Sequence, residues 1–253
     1  MSLIVPAFNE ERRLGGMLDA YLPFLEKRYG DRVEVLVVVN GSTDGTESVA
    51  RSYGEGHPIL RVLVEPRSVG KGAALMMGFA EARGDRVGFV DADGATPPEA
   101  LEDLVLNMGD AGVILASRWH PASRIQPQPL SRRVASRGFN ALVRLLFRLP
   151  ISDTQCGAKV LSREAVQAIL PKLGVTRWAF DVDLLFQARR AGFRIVEAPT
   201  VWNDQAGSRL RVGRASLEML LAMVRLRLLY SRMRFVVGLY DRNFGKWVHR
   251  NRG

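Results

Sequence analysis

The chain has 253 residues, 47% hydrophobic and 25% charged, which suits a globular protein with a sizeable core and excludes a disordered or fibrous one. Its net charge is +10 and its pI about 10.4, but the excess is local. Seven arginines and no acid run from Arg118 to Arg148, and eleven Lys or Arg face only Glu218 and Asp241 from Arg209 to Gly253, so the remainder carries −6 and the two basic segments read as surfaces for an anionic partner.

Apolar runs alternate with helical patterns along the first two hundred residues. Strands are predicted at Leu3–Ala7, Glu34–Val39, Arg61–Glu65, Arg86–Asp91, Gly112–Ser117 and Arg194–Pro199. Between them helices are predicted at Glu11–Tyr29, Asp44–Tyr53, Gly70–Arg83, Pro97–Asn107, Arg133–Arg148, Arg163–Leu170 and Asp181–Ala191. This order is that of an α/β fold, a mostly parallel central sheet with helices on both faces. In such sheets ligands bind outside the carboxyl ends of the strands. Polar residues stand at four of those ends: Pro6–Glu10, Asn40–Asp44, Asp91 with Asp93, and Ser117-Arg118.

Cys156 is the only cysteine, which excludes an intramolecular disulfide and fits a reducing compartment. The first residues lack a signal-peptide pattern, and the apolar stretch from Leu217 to Tyr240 holds Glu218, Arg225, Arg227, Arg232 and Arg234, too many charges for a membrane span.

The stretch "FVDADGATPPE" carries the most chemistry. Asp91 and Asp93, two apart at a strand end, should project to one side and repel unless a cation lies between them. A hard divalent ion with oxygen ligands would satisfy both, and an Asx turn without metal is the alternative. An EF-hand loop fits poorly, because Ala95 and Thr96 stand where a ligand and a glycine are required. "NGSTDGT" reads as a turn and helix start with Asp44 as cap, and "SVGKGA" as a helix start that could also offer N–H groups and Lys71 to phosphate oxygens. The latter is neither a Walker motif nor G-x-G-x-x-G, since Glu65 and Leu75 occupy glycine positions.

Taken together, "IVPAFNEE", "VVNGSTDGT", "GKGAALMMGFAEARGD", "FVDADGATPPE", "ASRW", "DTQCGAKVLSREAV" and "RWAFDVDLL" resemble the family 2 glycosyltransferases, in particular the branch of dolichyl-phosphate (polyprenyl-phosphate) β-glucosyltransferases. The resemblance implies a GT-A (Rossmann-like) domain over residues 1–205, with 206–253 as a basic helical extension. It implies a nucleotide-sugar donor, UDP-glucose by preference, and one Mg²⁺ or Mn²⁺ held by Asp91 and Asp93 to stabilise the leaving diphosphate. Pro6, Ala7, Asn9 and Glu10 match the nucleotide-contacting first loop, and Lys71 is expected near the donor. Asn40 stands where the family usually has a second aspartate; it keeps an amide oxygen for the base but not the charge, which leaves GDP-mannose as the alternative donor.

For the acceptor, the resemblance assigns Arg118 and Arg132 to the phosphate of a polyprenyl or dolichyl lipid, suited to a planar guanidinium; a solvated face of Arg132, Arg133 and Arg137 is the plainer reading of the residues. An anionic acceptor needs alignment more than a general base. Asp181 is expected on sugar or acceptor, or as a helix cap, with Asp183 in place of the branch's Glu; Gln155 and Cys156 shape the pocket. In the tail, Leu217, Leu220, Leu221, Val224 and Leu228 recur at helical spacing among arginines. With the Arg133–Arg148 helix they predict an anionic membrane surface as partner, the protein being cytoplasmic and peripheral on that face of the membrane. A basic nucleic-acid binder is the non-enzymatic alternative; the rim motifs argue for no nucleic acid.

Overall fold

The computed structural model describes residues 1–126, 130–174, 179–203, 212–232, 234–239 and 241–242, without the side chains of 130–132, 135, 212–217 and 234. In chain order the elements are β1 (Ser2–Ala7), α1 (Glu11–Tyr29), β2 (Glu34–Asn40), α2 (Thr46–Gly56), β3 (Leu60–Glu65), α3 (Lys71–Glu81), β4 (Arg86–Phe89), α4 (Pro98–Asn107), β5 (Val113–Ala116) and β6 (Arg124–Ile125). They continue with α5 (Leu130–Phe147), β7 (Lys159–Ser162), α6 (Arg163–Ile169), α7 (Phe180–Arg190), β8 (Ile195–Ala198), β9 (Val201–Trp202) and α8 (Val212–Leu229).

Seven strands form one sheet in the order β3-β2-β1-β4-β7-β5-β8, and β6 pairs with β9 beside it. Its inner strands β1, β2 and β5 are mostly apolar runs because both faces are covered. Along β2, Val35, Val37 and Val39 enter the core under α1 and α2, whereas Leu36 and Val38 enter the opposite core, under α3 and α7. Leu14, Leu18, Leu22 and Leu25 place one stripe of α1 on the first face, and Leu75, Phe79, Phe180 and Leu184 build the second. The chain runs outward from β1 through β2 to β3 and then returns to lay β4 on the other side of β1. The crevice where the winding reverses therefore opens above β1 and β4.

Three sequence expectations need correction. The sheet holds an additional strand, β7, antiparallel to both β4 and β5. Strand β4 ends at Phe89, so Asp91 and Asp93 lie in the following loop rather than on the strand itself. Helix α2 starts at Thr46, because Asp44 accepts hydrogen bonds from the Thr46 N–H (3.1 Å) and hydroxyl (2.5 Å) and holds the turn open. In α8 the buried stripe is Ala222, Met223 and Leu226, with Leu221 and Leu228 partly covered; Leu220 and Val224 are exposed, and the Leu217 side chain lies outside the described residues.

Candidate active site

The loops after β1, β2 and β4 converge at the crevice. Asn9, in left-handed backbone at φ 54°, accepts from the Thr43 N–H through Oδ1 (2.9 Å), and its own N–H donates to Ser42 Oγ (3.1 Å). The Glu10 N–H donates to Thr46 Oγ1 (2.8 Å), so the first loop and "NGSTDGT" hold each other. Pro6 and Ala7 are buried residues of β1, which leaves the exposed part of this rim to Asn9 and Glu10. Asn40, also buried, donates Nδ2 to the Ala7 carbonyl (3.2 Å), and its Oδ1 has no partner among the described residues. Arg13 grips both carboxylate oxygens of Glu10 at 2.6 and 2.7 Å. Burial nonetheless raises the Glu10 pKa, and the neighbouring charges of Asp93 and Asp91 add to the effect.

Asp93 accepts from the Ala95 N–H through Oδ1 (3.0 Å), so the Asx turn read from the sequence exists. Its carboxyl is nevertheless raised, first by burial and then by the charge of Asp91, which means that the pair shares one electrostatic site. Asp91 pairs with Lys71 Nζ at 2.5 Å. Burial pulls the Lys71 ammonium down, but Asp91, Asp181 and Asp93 outweigh it and hold it above the usual lysine range. On its other side Asp91 rests against Gly157. A Cβ built there would fall 2.1 Å from Asp91 Oδ2, so only a glycine admits this carboxylate. Glycine serves the same end at Gly72, where a Cβ would strike the Phe180 ring at 2.6 Å. The close approach of α3 to α7 that results puts Lys71 among the carboxylates.

Two residues that the sequence reading did not single out complete the site. Lys159 on β7 is fully buried; it donates to Asp181 Oδ1 at 2.5 Å and to the Cys156 carbonyl at 2.8 Å, and lies 5.2 Å from the centre of the Phe89 ring. Asp181 sits in the first turn of α7 without capping it. Burial alone would raise its carboxyl, but Lys159 and then Lys71 hold it below the ordinary range. Asp183, also buried, instead accepts from the Gly174 N–H (2.9 Å) and from Gln187 (3.5 Å), which makes it a brace for the chain before α7.

The second is Asp153, likewise fully buried. It takes Arg118 bidentately, Nε at 2.8 Å and Nη2 at 2.9 Å, and the Arg118 N–H at 2.9 Å as well. Burial opposes the charge on Arg118, yet Asp153 holds its pKa above the usual value. Arg118 also lies 5.2 Å from the Trp202 ring, and Arg137 of α5 lies 4.9 Å from that of Trp119. Among the described residues four buried side-chain donors lack a partner: Ser117 Oγ, Trp119 Nε1, Gln155 Nε2 and Trp202 Nε1. They flank Arg118, follow Asp153 or stack on the Arg118 guanidinium, so the unmet hydrogen-bonding capacity of this region consists of donors. Arg132 belongs to α5, but its side chain lies outside the described residues. Cys156 is buried and its thiol is pushed up to about 11 by burial, which makes it packing.

A single electropositive signal could have found Lys159: a lysine inside the apolar run "AKVL", where a strand would otherwise be continuous. Asp153 gave none beyond its place in "DTQCG".

Residues 2–170 match the model of glycosyl transferase family 2. A dolichyl-phosphate β-glucosyltransferase of Drosophila melanogaster is 40% identical over 224 residues, which cover 83% of this chain and 69% of the relative. Another of that name from Trichomonas vaginalis is 34% identical over 223 residues, 83% of this chain and 66% of the relative, so the chain spans about two thirds of such proteins. The glucosyl-3-phosphoglycerate synthase of Mycobacterium tuberculosis, solved with Mn²⁺, UDP and glucosyl-3-phosphoglycerate, aligns with a TM-score of 0.66 at 21% identity, over 89% of this chain and 78% of that one. The likeness extends to the GT-A fold.

Proposed function

The chain belongs to the family 2 glycosyltransferases, and on that premise we propose that it transfers glucose from UDP-glucose to the phosphate of a dolichyl or other polyprenyl lipid. The observation that carries this reading is the acidic pair at the reversal crevice: Asp91, which only Gly157 and the Lys71 ammonium let into place, with Asp93 beside it. Named relatives support the sugar and the lipid acceptor. UDP-bound and Mn²⁺-bound neighbours of the same fold support the donor and the metal.

Two mutually repelling carboxylates beside a glycine cradle fit one Mg²⁺ or Mn²⁺, which Asp91 and Asp93 would hold. Bound there, the ion offers Lewis-acid stabilisation of a leaving diphosphate. Asn40 presents Oδ1 to the base, while Asn9 and Glu10 shape the rim above it. Lys71 has Asp91 as partner in the free protein and can share its remaining donors with phosphate oxygens. Asp181, fixed at Oδ1, meets the sugar.

At the acceptor end Asp153 holds Arg118 rigid, and the unpartnered N–H and O–H groups around it are those an anion requires. Arg132, on α5, is assigned to the same phosphate as a second guanidinium on the family resemblance alone. A phosphate monoester is already a nucleophile, so these groups work by alignment, and no general base is required. Attack opposite the leaving group on an α-linked donor gives a β-linked product, in keeping with the relatives' names. The lipid is met at an anionic membrane surface: Val134 and Leu145 of α5 and Leu220 and Val224 of α8 are exposed among arginines on two helices that pack together. No described helix is long and apolar enough to cross a membrane.

The test is transfer of labelled glucose from UDP-glucose to a short polyprenyl phosphate in anionic vesicles with Mn²⁺. A β-linked lipid product that is lost with EDTA is expected; transfer only to soluble acceptors would refute the lipid assignment.

A further inference from the structure

Lys159 poses a question the mechanism has not used. No other Lys or Arg among the described residues is fully buried, and its strand position, paired in register with Phe89 and Leu115, is one where an aliphatic residue packs. Its ammonium points to three fixed groups, Asp181 Oδ1, the Cys156 carbonyl and the Phe89 ring, so it has no freedom to reorient. A buried ion pair is generally no more stabilising than the apolar pair that could replace it, so stability does not account for a Lys and an Asp here.

What the pair fixes is the other oxygen. Asp181 Oδ2 has no partner among the described residues. The charged groups facing Asp181 are Lys159 from β7, Lys71 from α3 and Arg118 after β5. They bracket the carboxylate between the proposed donor side, Lys71 with Asp91, and the proposed acceptor side, Arg118 with Asp153. A carboxylate held at one oxygen and open at the other is an acceptor for a hydroxyl group.

We propose that Lys159 is a positioning residue for sugar recognition: it anchors Asp181 Oδ1 so that Oδ2 accepts a hydrogen bond from a hydroxyl of the donor sugar. The inference rests on the donor reading given above. It differs from a structural role in what it touches, because the nucleotide gains nothing from Asp181 and only the sugar does.

Three variants test it, Lys159→Met, Asp181→Asn and the double substitution, with UDP and UDP-glucose titrated separately in Mn²⁺. Lys159→Met is expected to bind UDP within about twofold of wild type and UDP-glucose about tenfold more weakly, the size of one hydrogen bond to a charged group. Asp181→Asn should do the same, and the double variant should be no worse than Asp181→Asn alone. The acid limb of kcat/KM should also move to higher pH in Lys159→Met, since a carboxyl that loses its ammonium protonates more readily. Equal weakening of UDP and UDP-glucose, or losses that add in the double variant, would overturn the proposal. If Lys159→Met does not fold, the double variant, which leaves no unpaired buried charge, is compared with Asp181→Asn, and a further tenfold loss of UDP-glucose affinity overturns it. Wild-type protein that binds a different nucleotide sugar refutes the donor reading instead, and the same variants are then compared with that sugar nucleotide against its free diphosphate.

Discussion

Gly157→Ala is a one-carbon test of the acidic site. The added Cβ would stand 2.1 Å from Asp91 Oδ2, against a closest approach of 3.0 Å for real Cβ contacts, so the carboxylate must retreat by about 1 Å. Gly157 has no positive φ, so its own backbone accepts alanine, and the whole effect falls on Asp91. Asp91 is a third exposed and can swing, which breaks its 2.5 Å bond with Lys71 but leaves the core in place. A displacement of about 1 Å in a positioned group lowers turnover on the order of 100-fold. The assay is kcat/KM for UDP-glucose alongside thermal unfolding, with Gly16→Ala as control. Gly16 is an exposed helix residue with nothing within 4 Å of its added Cβ; alanine there should stabilise by about 0.5–1 kcal/mol and leave kinetics unchanged. Gly157→Ala activity within threefold of wild type would refute the reasoning, because it would mean that the position of Asp91 does not matter to the reaction.

Other outcomes follow from the same geometry. Asp93→Ala should abolish both turnover and metal-dependent UDP binding, measured by calorimetry. Arg132→Ala should leave UDP binding intact and raise KM for the lipid acceptor; unchanged lipid kinetics would remove Arg132 from the acceptor site. Asp153→Ala strands the largely buried Arg118 guanidinium and should cost about 3 kcal/mol in denaturant unfolding, with acceptor use lost in the protein that remains folded. Because the Asp181 carboxyl is depressed in the folded chain, its contribution to stability is present above the ordinary value of 3.8 and is lost as pH falls through the lower folded value. Asp181→Asn should therefore flatten the acid limb of the stability curve in that window, a shape that melting curves from pH 5 down to 2 would resolve.

Legibility differed from element to element for physical reasons. Strands β1, β2 and β5 are apolar runs between helical patterns, and their burial announces itself in the sequence. Strand β7 did not, because its four residues begin with a lysine and slot between β4 and β5 out of chain order, a pairing that no local pattern encodes. The tail helix was legible as a helix but not in its orientation: leucines are so dense there that several faces look apolar, and the face actually buried carries Ala222 and Met223. At the site, Asp91, Asp93 and Lys71 could be named from spacing at strand ends. Lys159, Asp153 and the cradle at Gly157 could not, since each acts through a partner at least 22 residues away, across the sheet or between loops. Family membership sets aside the nucleic-acid alternative that charge alone had kept open.

The central claim, a metal-assisted UDP-glucose site at the β1 and β4 crevice, is tested most directly by calorimetric titration of UDP-glucose and GDP-mannose into the protein, with Mn²⁺ and then with EDTA. The account predicts UDP-glucose binding that depends on the metal and exceeds that of GDP-mannose. Preference for GDP-mannose, or binding indifferent to EDTA, would contradict it.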